Sequence, residues 1–194
     1  MSWIENLLII AGIGLDVFAA FEIQGAMLAS VKKKSLVIAC SVVALLELIF
    51  YFGGYVTCRL LVFYGKVNNG TRYGDIVAVV VFICLGIGLI YKAIKREFVQ
   101  EKRRDQMSVW DYIRIIVVSC LYTLAAGVAS GLVGINVWHI IIMILAISII
   151  MVVGGIYAGF HFGFENKTVA YVLGAILLWI AGVEILLHSV LGII

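Results

Sequence analysis

Residues 7–29 read LLIIAGIGLDVFAAFEIQGAMLA, and this stretch decides the fold because it is long and apolar enough to cross a bilayer as a helix. About 20 helical residues span the hydrocarbon core of a membrane. Asp16 nevertheless lies near the middle of the stretch, where a carboxylate costs about 2.5–3.5 kcal/mol on insertion scales. Such residues face a partner, an ion or a water-filled cavity, so Asp16 is the first candidate for a functional site.

The composition of the whole chain is that of an integral membrane protein. Hydrophobic residues make up 64% of the 194 residues and charged residues only 13%, whereas a soluble domain carries about 25% charged residues. The apolar runs are continuous rather than alternating, which favours helices over a membrane β-barrel. The basic residues lie mainly between these runs, so the net charge of +3 indicates membrane topology and predicts no nucleic-acid partner.

The apolar runs predict an all-α fold with six transmembrane helices. Their approximate ranges are 3–30, 35–60, 75–95, 109–131, 136–160 and 168–191. With the third connecting segment taken as 92–111 and Arg59 counted with the second, the first, third and fifth segments hold three, six and one Lys or Arg, against three and none in the second and fourth. The positive-inside rule therefore predicts that the odd-numbered loops lie inside and that both termini lie outside.

A shift of 106 residues aligns parts of the two halves of the chain. It places Leu15, Ala19, Ala20, Gly25, Tyr51 and Gly53 on Leu121, Ala125, Ala126, Gly131, Tyr157 and Gly159. Six identities are suggestive rather than decisive, but two three-helix repeats would have opposite orientations, as in many secondary transporters. We predict a first repeat over 1–91, a basic cytoplasmic linker over 92–108 and a second inverted repeat over 109–194.

Further acidic residues lie within the predicted spans. Glu47 is deep in the second span, and Tyr51 lies one turn later on the same helical face. Two carboxylates on neighbouring spans indicate a hard divalent cation, since oxygen ligands suit Mg²⁺, Ca²⁺ and Mn²⁺; a proton site is equally permitted. Glu184 in the last span either belongs to the site or pairs with His188. Glu22 is expected at the membrane interface or paired with the lysines at 32–34.

The remaining patterns bear on packing and on chemistry. Gly155, Gly159 and Gly163 are four residues apart and predict close packing of the fifth span against another helix. The four cysteines stand singly and are expected to be small buried hydrophobes, with a soft-metal role left open for Cys120. The chain has no nucleophile–histidine–acid set, no H-E-x-x-H motif and no nucleotide-binding loop, so we predict neither an enzyme nor a permanent cofactor.

The sequence GLDVFAA at 14–20, followed by Gly25, resembles the first-span motif of the MntP family of bacterial manganese efflux pumps, in the LysE transporter superfamily. Later matches, in order along the chain, are Glu47 with Gly54, Leu85-Gly86, SCLYTLAAGV at 119–128, and the glycines at 155, 159, 163, 174 and 182. The resemblance covers nearly the whole chain. It implies six spans in two three-helix repeats and export of Mn(II) across the bacterial cytoplasmic membrane.

The chain departs from the family pattern at several positions, among them residues 48–51 after Glu47, which are more apolar than in the family. Tyr122 stands in place of the fourth-span aspartate, and Gly88 and Lys92 stand where the family tends to carry a basic and an acidic residue. The resemblance implies that Asp16 and Glu47 bind the metal. A neutral phenol is a weak ligand for a hard ion, so the cavity would need support from other residues, and the candidates to line it are Tyr122, Tyr51, Cys120 and Glu184.

We therefore predict a secondary transporter that exports a divalent cation, with Mn(II) as the favoured substrate, through a midplane acidic site. Its expected partners are the lipid bilayer and the transported cation, and the sequence leaves a homo-oligomer open. The expected location is the bacterial cytoplasmic membrane, which the chain crosses several times. The alternative is a family member with an altered substrate or without transport, acting as a membrane scaffold or regulatory subunit.

Overall fold

The chain is helical in a computed structural model that describes residues 3–28, 30–64, 70–95, 109–133, 137–163 and 166–187. Six helices follow one another: α1 (Trp3–Met27), α2 (Lys33–Tyr64), α3 (Gly70–Ile94), α4 (Val109–Val133), α5 (Val137–Phe162) and α6 (Lys167–Ile185). Each predicted span overlaps one helix, so the all-α prediction is confirmed. Most of the predicted basic linker, residues 96–108, lies outside the described residues, and the division into repeats and linker stays a prediction.

The helices carry the surface of a multi-pass membrane protein. Within the described part of the chain, α1, α2, α3, α5 and α6 are long and apolar enough to cross a bilayer. α4 has 25 residues, and its segment 116–133 carries no charged residue. Large apolar side chains cover the outer faces, where Val37, Ile142 and Ile150 are 65%, 68% and 64% exposed. Apolar surface on this scale marks contact with lipid rather than with water.

Helix packing joins the first half of the chain to the second. α1 packs most extensively on α5, and α2 packs most extensively on α4. Further contacts join α1 with α6, α3 with α6, α3 with α4, α2 with α5, and α1 with α4. Among the described residues, no extensive pairing joins two helices of the same half. The two halves therefore interleave and share their cores.

Glycines allow the two most extensive pairings to be close. A Cβ at Gly155 on α5 would lie 2.6 Å from the carbonyl oxygen of Phe18 on α1. On the opposite side of the bundle, a Cβ at Gly54 on α2 would collide with the carbonyl oxygen of Leu124 on α4. Real Cβ atoms do not approach backbone oxygens so closely, so these helices meet backbone to backbone, as small residues permit in membranes.

The predicted glycine stripe of α5 ends one turn earlier than expected. Gly159 lies against the backbone of α1, beside the carbonyl oxygen of Glu22, as Gly155 does one turn before. Gly163 instead follows the end of α5 with φ +72°, and no atom lies within 4 Å of the place where its Cβ would stand. This left-handed conformation is the one that glycine adopts to end a helix. Gly163 thus ends the helix, and among the described residues it makes no close approach to another helix.

Candidate functional site

Asp16 forms the most conspicuous polar contact of the transmembrane region. Its side chain is 1% exposed, and α1 is packed by α4, α5 and α6 around it. The Nζ of Lys92 donates to both carboxylate oxygens, at 2.7 Å to Oδ1 and 2.9 Å to Oδ2. The hydroxyl of Ser119 on α4 donates to Oδ2 at 2.7 Å. The charge of Asp16 is therefore neutralised by a lysine of this chain.

Lys92 reaches Asp16 from the last turn of α3. Its Nζ lies 4.3 Å above the centroid of the Tyr122 ring and 5.9 Å from the centroid of Tyr171. Both distances are within the range in which an aromatic face attracts a cation. One turn before Lys92, Gly88 leaves room for the Tyr122 hydroxyl, which would lie 2.7 Å from a Cβ at that position. Tyr122 can therefore pack against α3 with its ring face against the ammonium group of Lys92.

A cavity of about 260 Å³ opens beside this ion pair. Three lysines and three tyrosines line it, namely Lys92, Lys95, Lys167, Tyr91, Tyr122 and Tyr171. Its volume would hold several water molecules, since about 10–15 Å³ of space for the centre of a water-sized sphere is enough for one. Among the residues that the structure describes, no acidic side chain lines this cavity. A cation that enters it therefore meets lysines first and reaches Asp16 only behind Lys92.

Glu47 occupies a separate and much smaller space between α2 and α5. Its side chain is 4% exposed, and one oxygen accepts a hydrogen bond from the hydroxyl of Ser148. A cavity of about 10 Å³ is lined by Glu47, Ser148, Tyr51 and Thr123 together with apolar side chains. This is room for about one water molecule. Glu47 and Tyr51 thus line one cavity, whereas Tyr122 lines the other.

The structure has two separate cavities where the sequence predicted one. The other residues predicted to line the site are placed as follows. Cys120 is fully buried, close enough to both acids for the charges of Asp16 and Glu47 to act on its thiol. The hydroxyl of Tyr51 lies near Ser130 without forming a hydrogen bond of ordinary geometry. Glu184 is partly exposed in the last turn of α6 and lines neither cavity.

The described residues contain no group of three or more His, Cys, Asp or Glu side chains that could hold a metal ion. Residues next to Asp16 nevertheless reach the space around Glu47, since Gly14 and Thr123 line the Glu47 cavity and Thr123 donates to the carbonyl oxygen of Ser119, the partner of Asp16. Each acid has a serine as a hydrogen-bond partner, and only Asp16 has a cationic one. The arrangement can offer carboxylate and hydroxyl oxygens to a hard cation once Lys92 has moved away.

Glu22 has a structural role that the sequence did not indicate. Its side chain is fully buried, and Oε1 accepts the backbone N–H of Asn166 at 2.9 Å. Asn166 is the N-cap of α6, where backbone N–H groups lack partners within the helix and favour a negative charge. Glu22 therefore ties the start of α6 to α1. The lysines at 32–34, its expected partners, are exposed.

A protein-family model described as "Putative manganese efflux pump", Mntp, matches residues 29–186 of this chain. The chain belongs to the Mntp family. This membership confirms the resemblance of the sequence motifs, and it makes the chain a member of a transporter family rather than an enzyme. No solved structure matches this Mntp chain.

Curated relatives of the Mntp chain carry the same description at modest identity. The chain is 27% identical to "Putative manganese efflux pump MntP" of Clostridium perfringens (strain SM101 / Type A), over 97% of this chain and 95% of that protein. It is 25% identical to "Putative manganese efflux pump MntP 1" of Wolinella succinogenes, over 95% and 97%. A protein of Syntrophotalea carbinolica with the first description is 29% identical over 62% and 64%. The similarity thus extends over nearly the full length of two of these proteins.

Proposed function

We propose that this chain is a secondary transporter that exports a divalent cation, with Mn(II) as the favoured substrate. The observation that carries this proposal is the burial of two carboxylates, Asp16 and Glu47, on two membrane-spanning helices. Buried acids in such helices mark ion or proton pathways. The descriptions of the relatives as manganese efflux pumps support the choice of metal.

We also propose that the six helices form two inverted repeats of three. The set of helix pairings is unchanged when α1 is exchanged with α4, α2 with α5, and α3 with α6. The pairing α1·α5 becomes α4·α2, the pairing α1·α6 becomes α4·α3, and the remaining pairings map onto themselves. This is the pattern that a two-fold relation between the halves would produce, and it supports α4 as a sixth span.

Side-chain contacts of the two halves support the same relation. Gly155 lies against Phe18, and Gly54 lies against Leu124, which is 106 residues after Phe18. This is the shift that aligned α1 with α4 in the sequence, whereas Gly54 and Gly155 are only 101 residues apart, so under this relation Tyr51 and Tyr157 would not be equivalent positions. Glu47 and its partner Ser148 are 101 residues apart, as Gly54 and Gly155 are. A pair of equivalent positions in contact would lie beside the axis between repeats, where transporters bind their substrates.

The proposed location is the bacterial cytoplasmic membrane, with the odd-numbered loops inside and both termini outside. The excess of Lys and Arg in the odd-numbered loops supports this orientation. The large cavity lies between the end of α3, with Lys92 and Lys95, and the start of α6, with Lys167. Both helix ends adjoin odd-numbered loops, so the cavity would open to the cytoplasm and admit the ion to be exported. An ion gradient would drive the cycle.

The first test is manganese tolerance in a bacterial host that lacks its own exporter. Asp16→Asn and Glu47→Gln keep side-chain size and remove charge, so each should abolish the tolerance that the unchanged chain confers. The matched control is Thr57→Ala, because Thr57 is exposed on α2 and bonds only to the carbonyl oxygen of Gly53 on its own helix. Full tolerance with well-expressed Asp16→Asn protein would contradict the proposal. If the unchanged chain confers no tolerance and Mn²⁺ does not raise its melting temperature, the scaffold alternative is favoured.

A further inference from the structure

Three of the positions at which the resemblance to the MntP family breaks lie in one contiguous unit. Gly88 and Lys92 are one turn apart on α3, and Tyr122 on α4 contacts both of them. The ring of Tyr122 lies below the ammonium of Lys92, while its hydroxyl occupies the space that a side chain at position 88 would fill. The fourth member is Asp16, which accepts two hydrogen bonds from Lys92. The departures therefore act together on one carboxylate.

We propose that Lys92 is a tethered cation that occupies the Asp16 site and must be displaced before a divalent ion can bind there. The inference rests on the proposed function and names the residue that governs access to its site. The ammonium lies 2.7 and 2.9 Å from the two carboxylate oxygens, and Ser119 takes a further lone pair of Oδ2. A metal ion that ligates Asp16 would need the same lone pairs. Two positive charges cannot share them, so the ion and Lys92 exclude each other.

The structure also offers Lys92 a place to go. Its side chain is 23% exposed and lines the 260 Å³ cavity, whereas Asp16 behind it is 1% exposed. The ring of Tyr171 lines the same cavity, and its centroid lies 5.9 Å from Nζ, so a second aromatic face is within reach of the ammonium. A displaced Lys92 would therefore enter a space with room for water and would not be left buried without a partner. Displacement needs a change of side-chain rotamer, while α3 can stay in place.

Because Lys92 competes for Asp16, the transported ion must reach a threshold concentration before it binds. The tether keeps the ammonium at high effective concentration beside the carboxylate. The apparent affinity for the ion then falls by the fraction of molecules in which Asp16 is free. A monovalent ion brings no more charge to Asp16 than Lys92 does, while a divalent ion brings twice as much. The site should therefore respond to divalent ions only when they are abundant, which suits an exporter.

The melting temperature of the purified protein, titrated with MnCl₂, tests the inference. An ion that binds only the folded state raises stability with its concentration, so the half-maximal concentration reports apparent affinity. Lys92→Gln keeps a hydrogen-bond donor but removes the charge. The melting temperature of this variant should rise at a Mn²⁺ concentration at least tenfold lower than that of the unchanged chain. Lys92→Arg retains the charge and adds a bidentate donor, so its half-maximal Mn²⁺ concentration should be higher than that of the unchanged chain. Lys34→Gln, an exposed lysine of α2, is the matched control and should behave as the unchanged chain.

The outcomes separate this inference from the proposed function. If Lys92→Gln and the unchanged chain respond at the same Mn²⁺ concentration, a divalent site exists and Lys92 does not guard it, so the inference is overturned alone. If Lys92→Gln folds and shows no response to Mn²⁺, the acids do not bind the metal and the proposed function fails. Asp16→Asn combined with Lys92→Gln should lose the response, and a retained response would place the ion elsewhere and overturn the inference.

A measurement on the unchanged chain covers the case in which Lys92→Gln does not fold. Lysines react with an amine-specific ester, and mass spectrometry reads the labelled fraction of each peptide. Held against Asp16, Lys92 should react slowly, and Mn²⁺ should raise its labelling severalfold as it is displaced into the cavity. Lys34 should label equally with and without the ion. Labelling of Lys92 that stays constant at Mn²⁺ concentrations that raise the melting temperature would overturn the inference.

Discussion

At the residue scale, Asp16 is tolerated within the bilayer because hydrogen bonds meet both of its oxygens. Lys92 and Ser119 supply three of them, from α3 and α4. Removal of one member of a buried ion pair typically costs about 3–5 kcal/mol, because the other charge stays buried alone. Asp16 and Lys92 therefore support the packing of α1 on its neighbours in the resting state, whatever ion later takes the lysine's place.

Two adjacent glycines of α2 give a residue-scale prediction with a built-in control. A Cβ at Gly54 would collide with the carbonyl oxygen of Leu124 and lie 3.0 Å from the amide nitrogen of Val128. Overpacking of this kind costs about 1–3 kcal/mol, so Gly54→Ala should lower the melting temperature. Gly53 has no atom within 4 Å of its Cβ position. Gly53→Ala should be neutral or stabilising by up to about 1 kcal/mol, since alanine favours a helix. Equal effects of the two substitutions would contradict the backbone contact.

The sequence allowed some of these residues to be predicted and concealed others. Asp16 and Glu47 could be singled out because a carboxylate within an apolar run is costly wherever it points. The contact of Lys92 with Asp16 could not be predicted. A lysine at the end of a span ordinarily extends to the membrane surface, and Asp16 lies 76 residues earlier in the chain. The available signal was the departure at Gly88, Lys92 and Tyr122, whose shared meaning depends on the contact between α3 and α4.

At the element scale, α6 begins on a side chain that belongs to α1. The described residues of α6 include no side-chain cap of its own at Asn166, and the backbone N–H of that residue bonds to Glu22 instead. Apolar runs predicted where α6 lies, because a span needs a minimum length. They could not predict this cap, because the acid that supplies it is 144 residues away in the chain. Glu22 thereby helps to fix the start of α6 beside the large cavity.

Substitution of Glu22 tests this link between the two helices. Glu22→Ala removes the acceptor of the Asn166 N–H, and a hydrogen bond to a charged group contributes about 1.5–3 kcal/mol. Glu22→Gln keeps a carbonyl oxygen in the same place and should lose less. Hydrogen exchange at the first amides of α6 should quicken in the alanine variant before the whole protein melts. Exchange that is equally slow in both variants would mean that α6 starts without help from Glu22.

At the scale of the whole molecule, each half of the chain depends on the other for its packing. All extensive helix pairings among the described residues cross between α1–α3 and α4–α6. Glycine contacts bring the backbones of the two halves together where α5 packs on α1 and where α2 packs on α4. The composition predicted membrane helices and the motifs predicted the family. Which helices touch was not predictable, because lipid-facing and protein-facing surfaces of a span are both apolar.

Separation of the halves should therefore leave two fragments that need each other. A chain divided between residues 100 and 101, within the basic segment that precedes α4, should reassemble when both fragments are produced together. The two should copurify through a tag on one of them and melt as one unit. Each fragment produced alone should be degraded or should aggregate, because its packing surfaces have no partner. A stable, monomeric fragment 1–100 would show that the first half makes contacts of its own.

The contact between Asp16 and Lys92 also has a history during synthesis. Asp16 leaves the ribosome 76 residues before its partner, an interval of about 4–15 s at about 5–20 residues per second. Ser119 follows later still, 103 residues after Asp16. For that time the first span must enter the bilayer with its acid unsatisfied, or wait at the insertion machinery until α3 arrives. The length and apolarity of α1 are thus requirements of biogenesis, set by the order in which the ribosome supplies the two charges.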